Sequence, residues 1–367
     1  MMKQLLVGSF LFTTALTHAQ VDGIYVSDAG NFNNPPWQIL RFDANGTNPL
    51  AFITTNLNWP QDIVFLEDSN RVLISNLGTN KITKYDATTG VYVSDFATGI
   101  AGPTRMKIGP DGLLYVLQWN GTGTVRRYML NGTYVGEFTT VGVPQSIGLD
   151  WDGAGNLYVS SYTSDLVRKF DPDGNDLGAF ISADLVGPTN IWFDLNGDLI
   201  VSDYDGAAIK RFDAAGTFLS TFITGVSYTE GIAHYPNGNF LIGNGATSSV
   251  KQFDAGGTYL QDLIPSGSGG LINPNAIVIR GAQVGVPERT KEPEVAIFYP
   301  SVGSIFHLAP SLAGVRSITI RSVQGELTER VVQGVWNADH LAAGMYMVMA
   351  ERNDRSVIRQ RIEVVHD

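Results

Sequence analysis

The sequence predicts an all-β chain, a six-bladed β-propeller followed by a small β-sandwich. Three observations carry this. A four-strand unit of roughly 42 residues recurs six times between residues 21 and 282. The chain enters and leaves that repeat in mid-unit. After Gln283 the period stops and a new set of alternating apolar segments begins.

The first element is not structural. Lys3 precedes an apolar run from Leu5 to Leu16, then Thr17-His18-Ala19. A basic start, a short apolar run and small residues at a cleavage point make a signal peptide, residues 1–19. The run is too short to span a bilayer, and no later stretch is long enough, so the mature chain is not expected to be transmembrane.

The repeat fills residues 20–284. Its signature is an apolar strand ending in a polar residue, as in Ile24-Tyr25-Val26-Ser27-Asp28, Val72-Leu73-Ile74-Ser75-Asn76 and Leu157-Tyr158-Val159-Ser160-Ser161. Leu114–Gln118, Leu199–Asp203 and Phe240–Asn244 complete the six. A basic residue (Gln252 in the sixth copy) and an aromatic follow each copy, such as Arg41-Phe42-Asp43 or Lys169-Phe170-Asp171, then a turn such as Asn45-Gly46 or Asp173-Gly174. A strand ending in Phe comes next (Phe52, Phe96, Phe138, Phe180, Phe222). A Pro then opens another apolar strand at Pro60, Pro103, Pro144, Pro188 and Pro274. Four short strands rich in β-branched and aromatic residues, divided by turn residues, make one propeller blade. A lone blade cannot bury both faces, whereas six in a ring can.

Strand counting closes the ring. The mature chain begins on the second strand of a blade, and the repeat ends on an orphan first strand at Asn275–Arg280. Joined, they form blade one and remove two free sheet edges.

Composition bounds the function. Net charge is −11; residues 4–286 carry 14 basic and 25 acidic side chains, so −11 lies in the repeat, while residues 287–367 carry 9 and 10. That argues against nucleic acid and anionic membranes as partners. With no cysteine, disulfides, thiolate metal sites and Cys nucleophiles are excluded.

The succession Pro-x-x-Ile, Leu-Tyr-Val-Ser-Asp, Arg-Phe-Asp-x-x-Gly, Phe resembles NHL-type propellers and the related gluconolactonase-like propellers. The resemblance implies the six-bladed fold and leaves function open, since such folds host unrelated activities.

Residues 285–294, polar with two prolines, read as a linker. Strands are expected at Ala296–Tyr299, Ile305–Leu308, Val315–Val323, Leu327–Gln333, Met345–Glu351 and Val357–Val365, a small sandwich over 295–367. Ile297-Phe298-Tyr299-Pro300, Ile318–Glu326 and Leu341-Ala342-Ala343-Gly344-Met345-Tyr346 resemble the C-terminal sorting domain of the bacterial type IX secretion system. Pro300-Ser301-Val302 departs from that family's usual Pro-Asn-Pro. The resemblance implies that this domain is an export address read by the secretion machinery, and that the product is secreted or surface-attached through the periplasm and outer membrane of a member of the Bacteroidota.

Chemistry-bearing residues are few. Of five histidines, His18 lies in the address and His307, His340 and His366 in the sandwich. His234 is expected to make a turn contact in the slot of Asp150 and Asp194. Gly121-Thr122-Gly123 is a hairpin turn with no phosphate-loop helix behind it. The residues after each Pro should ring the axial channel: Gln61-Asp62, Thr104-Arg105, Gln145-Ser146, Thr189-Asn190, Glu230-Gly231 and Asn275-Ala276. The fifth of these pairs departs, with Thr229 in place of Pro. The lactonase-like resemblance implies that Glu230, Asn190, Asn275 and Asp62 could hold Ca²⁺ or another divalent ion that polarises an ester carbonyl. Arg105 on the same ring would repel a cation; without the ion the ring is a polar funnel. A second ring is expected from Asp28, Asn76, Gln118, Ser161, Asp203 and Asn244, with Trp37, Trp119, Tyr162 and Tyr204 on its loops as a carbohydrate- or peptide-binding surface or as blade packing. The favoured expectation is a monomeric binding module for an extracellular carbohydrate, peptide or small molecule. The alternative is a metal-dependent lactonase or ester hydrolase.

Overall fold

The structure, a computed structural model, describes residues 21–194, 196–281, 297–299, 302–308, 315–322, 327–331, 335–352 and 357–366. The signal-peptide segment, the linker and parts of the sorting motif (Pro300, Ser301 and 323–326) lie outside the described residues. Among the described residues no helix is long and apolar enough to cross a membrane.

Residues 21–281 form six four-stranded antiparallel sheets. Blades two to six are built from consecutive strands, innermost first, beginning at Pro60–Leu66, Pro103–Ile108, Ser146–Trp151, Pro188–Phe193 and Thr229–His234. Blade one pairs the last strand, Pro274–Gly281, with the first, Val21–Asp28 (Ile24 opposite Ile279, Val26 opposite Ile277). The inner strands touch in a closed circle, each against the next and Thr229–His234 against Pro274–Gly281.

Burial follows distance from the axis. The second strands Leu114–Gln118, Leu157–Ser161, Leu199–Asp203 and Phe240–Asn244 are buried at every position, because neighbouring blades cover both faces. Such strands read as continuous apolar runs and not as alternation. At the periphery the blades diverge, and the outer strand Phe218–Ile223 is exposed over its first four residues. The aromatic near the end of each third strand is the wedge between these regimes: Phe42, Tyr85, Tyr128, Phe170, Phe212 and Phe253 are all buried.

Two devices lock neighbours. The motif serine reaches the next blade's inner strand: Ser27 Oγ donates to Pro60 O (3.0 Å), Ser75 Oγ to Thr104 O (2.6 Å) and Ser202 Oγ to Thr229 O (2.8 Å). The turn glycine meets the preceding blade's outer strand. A Cβ on Gly174 (φ +83°) would lie 1.9 Å from Phe138 O, and one on Gly46 (φ +75°) 2.0 Å from Leu263 O. Glycine is therefore required for its left-handed backbone and for the close approach together. The Gly46 contact joins blade one to blade six.

The C-terminal part is a sandwich of two sheets. Phe298–Tyr299, Ile305–Leu308 and Val335–Asn337 form one, and Val302–Gly303, Val357–Val364, Gly344–Arg352, Val315–Ser322 and Leu327–Val331 the other. The short strands Val302–Gly303 and Val335–Asn337 were not expected. Trp336 stacks between Phe298 (5.8 Å) and Phe306 (5.2 Å) in its core, with Ile320, Val348 and Ile362.

Candidate functional site

The axial side chains come from two adjacent positions of the inner strands. Ile63, Met106, Leu149, Ile191, Ile232 and Ile277 each pair with the middle of the second strand and are equivalent. The residues just before them are Asp62, Arg105, Gly148, Asn190, Gly231 and Ala276. Three of the six are therefore small, and a large side chain from another blade can cross the axis.

Arg105 crosses it. From blade three its Nη1 donates to Gln61 O in blade two (2.6 Å), and Nη2 donates to Glu230 O in blade six (3.1 Å) and Asn275 O in blade one (2.6 Å). Asp62 Oδ1 and Glu230 Oε2 flank the guanidinium at 3.6 and 3.7 Å. The planar fork of donors suits arginine to several acceptors at once. Asp62 is also consumed by the backbone, accepting from Ile63 N (2.9 Å) and Met106 N (2.7 Å). Asn190 Nδ2 donates to Glu230 O (3.1 Å). The Asn275 amide, oriented by its partners, donates to Glu230 Oε2 (2.7 Å) and accepts from Gln61 Nε2 (2.9 Å).

This does not fit the divalent ion that the resemblance implied for Glu230, Asn190, Asn275 and Asp62. A fixed cation stands between the two carboxylates, and the amide oxygens of Asn190 and Asn275 accept hydrogen bonds from Ile191 N and from Gln61. Hard divalent ions need several converging free oxygens. Among the described residues no group of three His, Asp or Glu is placed to hold a metal.

Burial pushes the Glu230 carboxyl up to about 7, more than Arg105 lowers it. Asp62 is likewise raised by burial, against the pull of Arg105. The sign for stability follows by linkage. Glu230 keeps its proton in the folded state where the free group has lost it. Its contribution is therefore full below the free carboxyl's range near 4.5 and is lost as pH rises through about 7. Glu230→Gln is expected to flatten that decline. Urea midpoints of both proteins measured from pH 4 to pH 8 check it, and parallel curves would refute it.

Two expectations need correction. Gln145 is not on the axial ring. Ser146 pairs with Ser161 as Pro188 pairs with Asp203, so Ser146 fills the Pro slot and Ile147-Gly148 follow it. Gln145 takes the left-handed position held by Gly102 and Gly187 (φ +47° against +65° and +64°). Pro144 misled the register by two residues. His234 pairs with Phe240 as Phe193 pairs with Leu199, one residue before the turn position of Asp194. Its ring lies on Trp192 (5.5 Å) and Phe240 (5.7 Å), and burial, followed by the charge of nearby Lys107, pushes its pKa down. It borders an axial cavity of about 180 Å³ lined by Asp62, Arg105, Lys107, Asn190 and Trp192.

The second ring is also not a surface. Asp28, Asn76, Gln118, Ser161, Asp203 and Asn244 are all buried. Most of their side-chain oxygens accept from the loop that enters the same blade's inner strand: Asn76 from Asn58 N (2.9 Å), Asp203 from Val186 N (2.6 Å), Asn244 from Ser227 N (2.7 Å) and Asp28 from Asn273 N (2.9 Å). The motif thus encodes loop pinning, legible in hindsight from its strict position at a strand end.

The aromatics of those loops are at the surface. Trp119, Tyr162 and Tyr204 are half-buried, and Tyr228, which was not singled out, is exposed. They form a row over blades three to six, with ring centroids 5.7, 5.9 and 5.1 Å apart in that order. Trp37 is held elsewhere, its Nε1 donating to Phe32 O (2.8 Å). Burial and then the Glu230 carboxylate raise the Tyr204 pKa, and Tyr228 directly precedes the inner strand Thr229–His234 that carries Glu230, so the row ends beside the axial mouth.

No family model matches the chain, and no curated protein matches it. Solved structures do. A chain of a nidogen/laminin complex aligns at TM-score 0.57 and 15% identity, covering 70% of this chain and 97% of that one. A Bacteroides caccae protein of unknown function aligns at TM-score 0.52 and 17% identity, covering 71% and 98%. At such identities the likeness concerns the fold alone, an all-β propeller.

Proposed function

We propose that this chain is an exported binding module whose propeller presents a ligand surface at the axial mouth, while its C-terminal sandwich serves as the sorting domain for type IX secretion. The observation that carries the binding reading is the row Trp119, Tyr162, Tyr204, Tyr228 beside a mouth closed by Arg105. Half-exposed aromatic faces next to fixed polar groups suit recognition. A closed axis with a guanidinium between its carboxylates does not suit metal-assisted ester hydrolysis. The nidogen/laminin neighbour comes from a complex of proteins, which agrees with a binding role for this shape. For export, support comes from the apolar run before Ala19 and from Leu341–Tyr346, where Tyr346 Oη donates to Ala342 O (2.9 Å) and fixes the turn into the central strand Gly344–Arg352.

Incubation of the purified chain with lactones and aryl esters, with and without calcium, is expected to give no turnover. A rate that disappears in Glu230→Ala, with folding retained, would overturn the binding reading. Removal of residues 295–367 is expected to leave the product in the periplasm of its host; unchanged appearance in the medium would overturn the export reading.

A further inference from the structure

The face that carries the aromatic row has a second property. It is built from twelve loops, six joining second to third strands and six leading into inner strands. In sequence these are 29–37, 77–80, 119–125, 162–165, 204–207 and 245–248, with 54–59, 99–102, 138–145, 182–187, 224–228 and 265–273. None contains lysine, arginine or histidine, while Asp165, Asp184 and Asp205 lie among them. The loops of the opposite face also lack basic residues and carry more carboxylates, but the aromatic row is absent there. Basic residues of the flanking strands engage some of those carboxylates, as Arg211 with Asp194 (3.0 Å) and Lys169 with Asp152 (3.7 Å). Basic side chains that approach the aromatic face from strand ends are engaged. Lys210 is held by Asp203 (2.6 Å) and the Asp184 carbonyl (2.5 Å), and Arg126 by Glu137 (3.0 Å) and the Gly99 carbonyl (2.9 Å).

The aromatic row and this one-signed charge coincide. Tyr162 Oη donates to Asp205 Oδ2 (2.7 Å), which fixes a carboxylate at the edge of the ring. Tyr204 stands between Tyr162 and Tyr228, and Tyr228 leads directly into the inner strand that carries Glu230. The rings are tilted or edge-on to one another, and aromatic faces beside a carboxylate attract an ammonium or guanidinium through the ring quadrupole and the charge together. A neutral sugar needs the rings alone, and an anionic ligand would be repelled.

We propose that this face recognises a basic protein segment, seating a lysine or arginine side chain over Tyr204 between Tyr162 and Tyr228. The inference rests on the binding-module reading and names its ligand class. A field of one sign across the face also steers such a partner toward it at low salt.

The test uses the full chain and three probes: a labelled hexalysine peptide, the same peptide with every ε-amine acetylated, and cellohexaose. Hexalysine is expected to bind, and acetylation or Tyr204→Ala to weaken it by about tenfold or more. Tyr204→Phe, which keeps the ring, should stay within about twofold and separates recognition from folding. Asp205→Asn should weaken binding several-fold, whereas Asp68→Asn on the opposite face should not. Equal binding of the acetylated peptide, or equal loss in Asp68→Asn and Asp205→Asn, would overturn the proposal, the latter because net charge alone would then explain capture. Tyr204-dependent binding of cellohexaose without hexalysine would overturn the cationic ligand and leave the binding module standing. Binding of no probe would overturn the cationic ligand, while ester turnover lost in Glu230→Ala would overturn the binding reading itself.

Discussion

Arg105→Ala is expected to lower the unfolding free energy by about 3–5 kcal/mol, the range for removing one partner of a buried ion pair. Three buried carbonyls in blades one, two and six lose a charged donor, and Asp62 and Glu230 are left facing each other across the axis without a cation. For a domain of this size that corresponds to roughly 10 °C in Tm. Arg105→Lys should recover only part, since an ammonium lacks the planar fork that reaches several blades. Arg105→Met combined with Glu230→Gln should be more stable than Arg105→Met alone at pH 8, because the stranded charge is gone. Urea melts of the parent and these four variants decide it. An Arg105→Ala midpoint within about 1 kcal/mol of the parent would show that the plug is not structural.

Asp28→Ala should cost a similar amount, about 3–5 kcal/mol, from the loss of several charge-assisted hydrogen bonds at a buried site. Asp28 accepts from Gly30 N (3.0 Å), Asn273 N (2.9 Å), Ile272 N (3.2 Å) and Gln38 Nε2 (3.2 Å). Two of these donors lie on the loop that delivers the last strand to the first, so this carboxylate ties the two ends of the ring. Asn76 and Asn244 do the same work inside single blades, and their loss leaves closure untouched. Asp28→Ala should therefore add a phenotype that Asn244→Ala lacks, namely faster proteolytic release of Val21–Asp28 under native conditions. Equal protease sensitivity of the two variants would remove the closure role from Asp28.

The period, the count of blades and the split first blade were all legible in the chain, because each rests on local signals. Buried second strands appear as short β-branched runs, turns as Asn-Gly or Asp-Gly, and the incomplete first and last units as a strand count. The spacing of the repeat also located the axial residues Asp62, Arg105, Asn190, Glu230 and Asn275. What those residues do was not legible. Two were expected to bind metal as free carboxylates, yet both face a guanidinium from a third blade. Arg105 reaches them only because Gly148, Gly231 and Ala276 leave the axis open, and that depends on six residues far apart in sequence lying at one level.

The same limit governs the smaller errors. Pro144 obeys the repeat in spacing, but register is set by hydrogen bonds to Ser161, and those place Ser146 in its slot. The polar residue ending each second strand looks like a surface group in sequence and is buried in the ring, where it satisfies loop N–H groups that would otherwise be orphaned. Sequence alone determined the all-β class, the six blades and the closing strand, since periodicity and turn chemistry act within a few residues. The tertiary structure alone decided which polar side chains are exposed, which are paired and which aromatics line up. Those outcomes depend on the distances between blades, and no stretch of sequence encodes a distance to a residue 125 or 170 positions away.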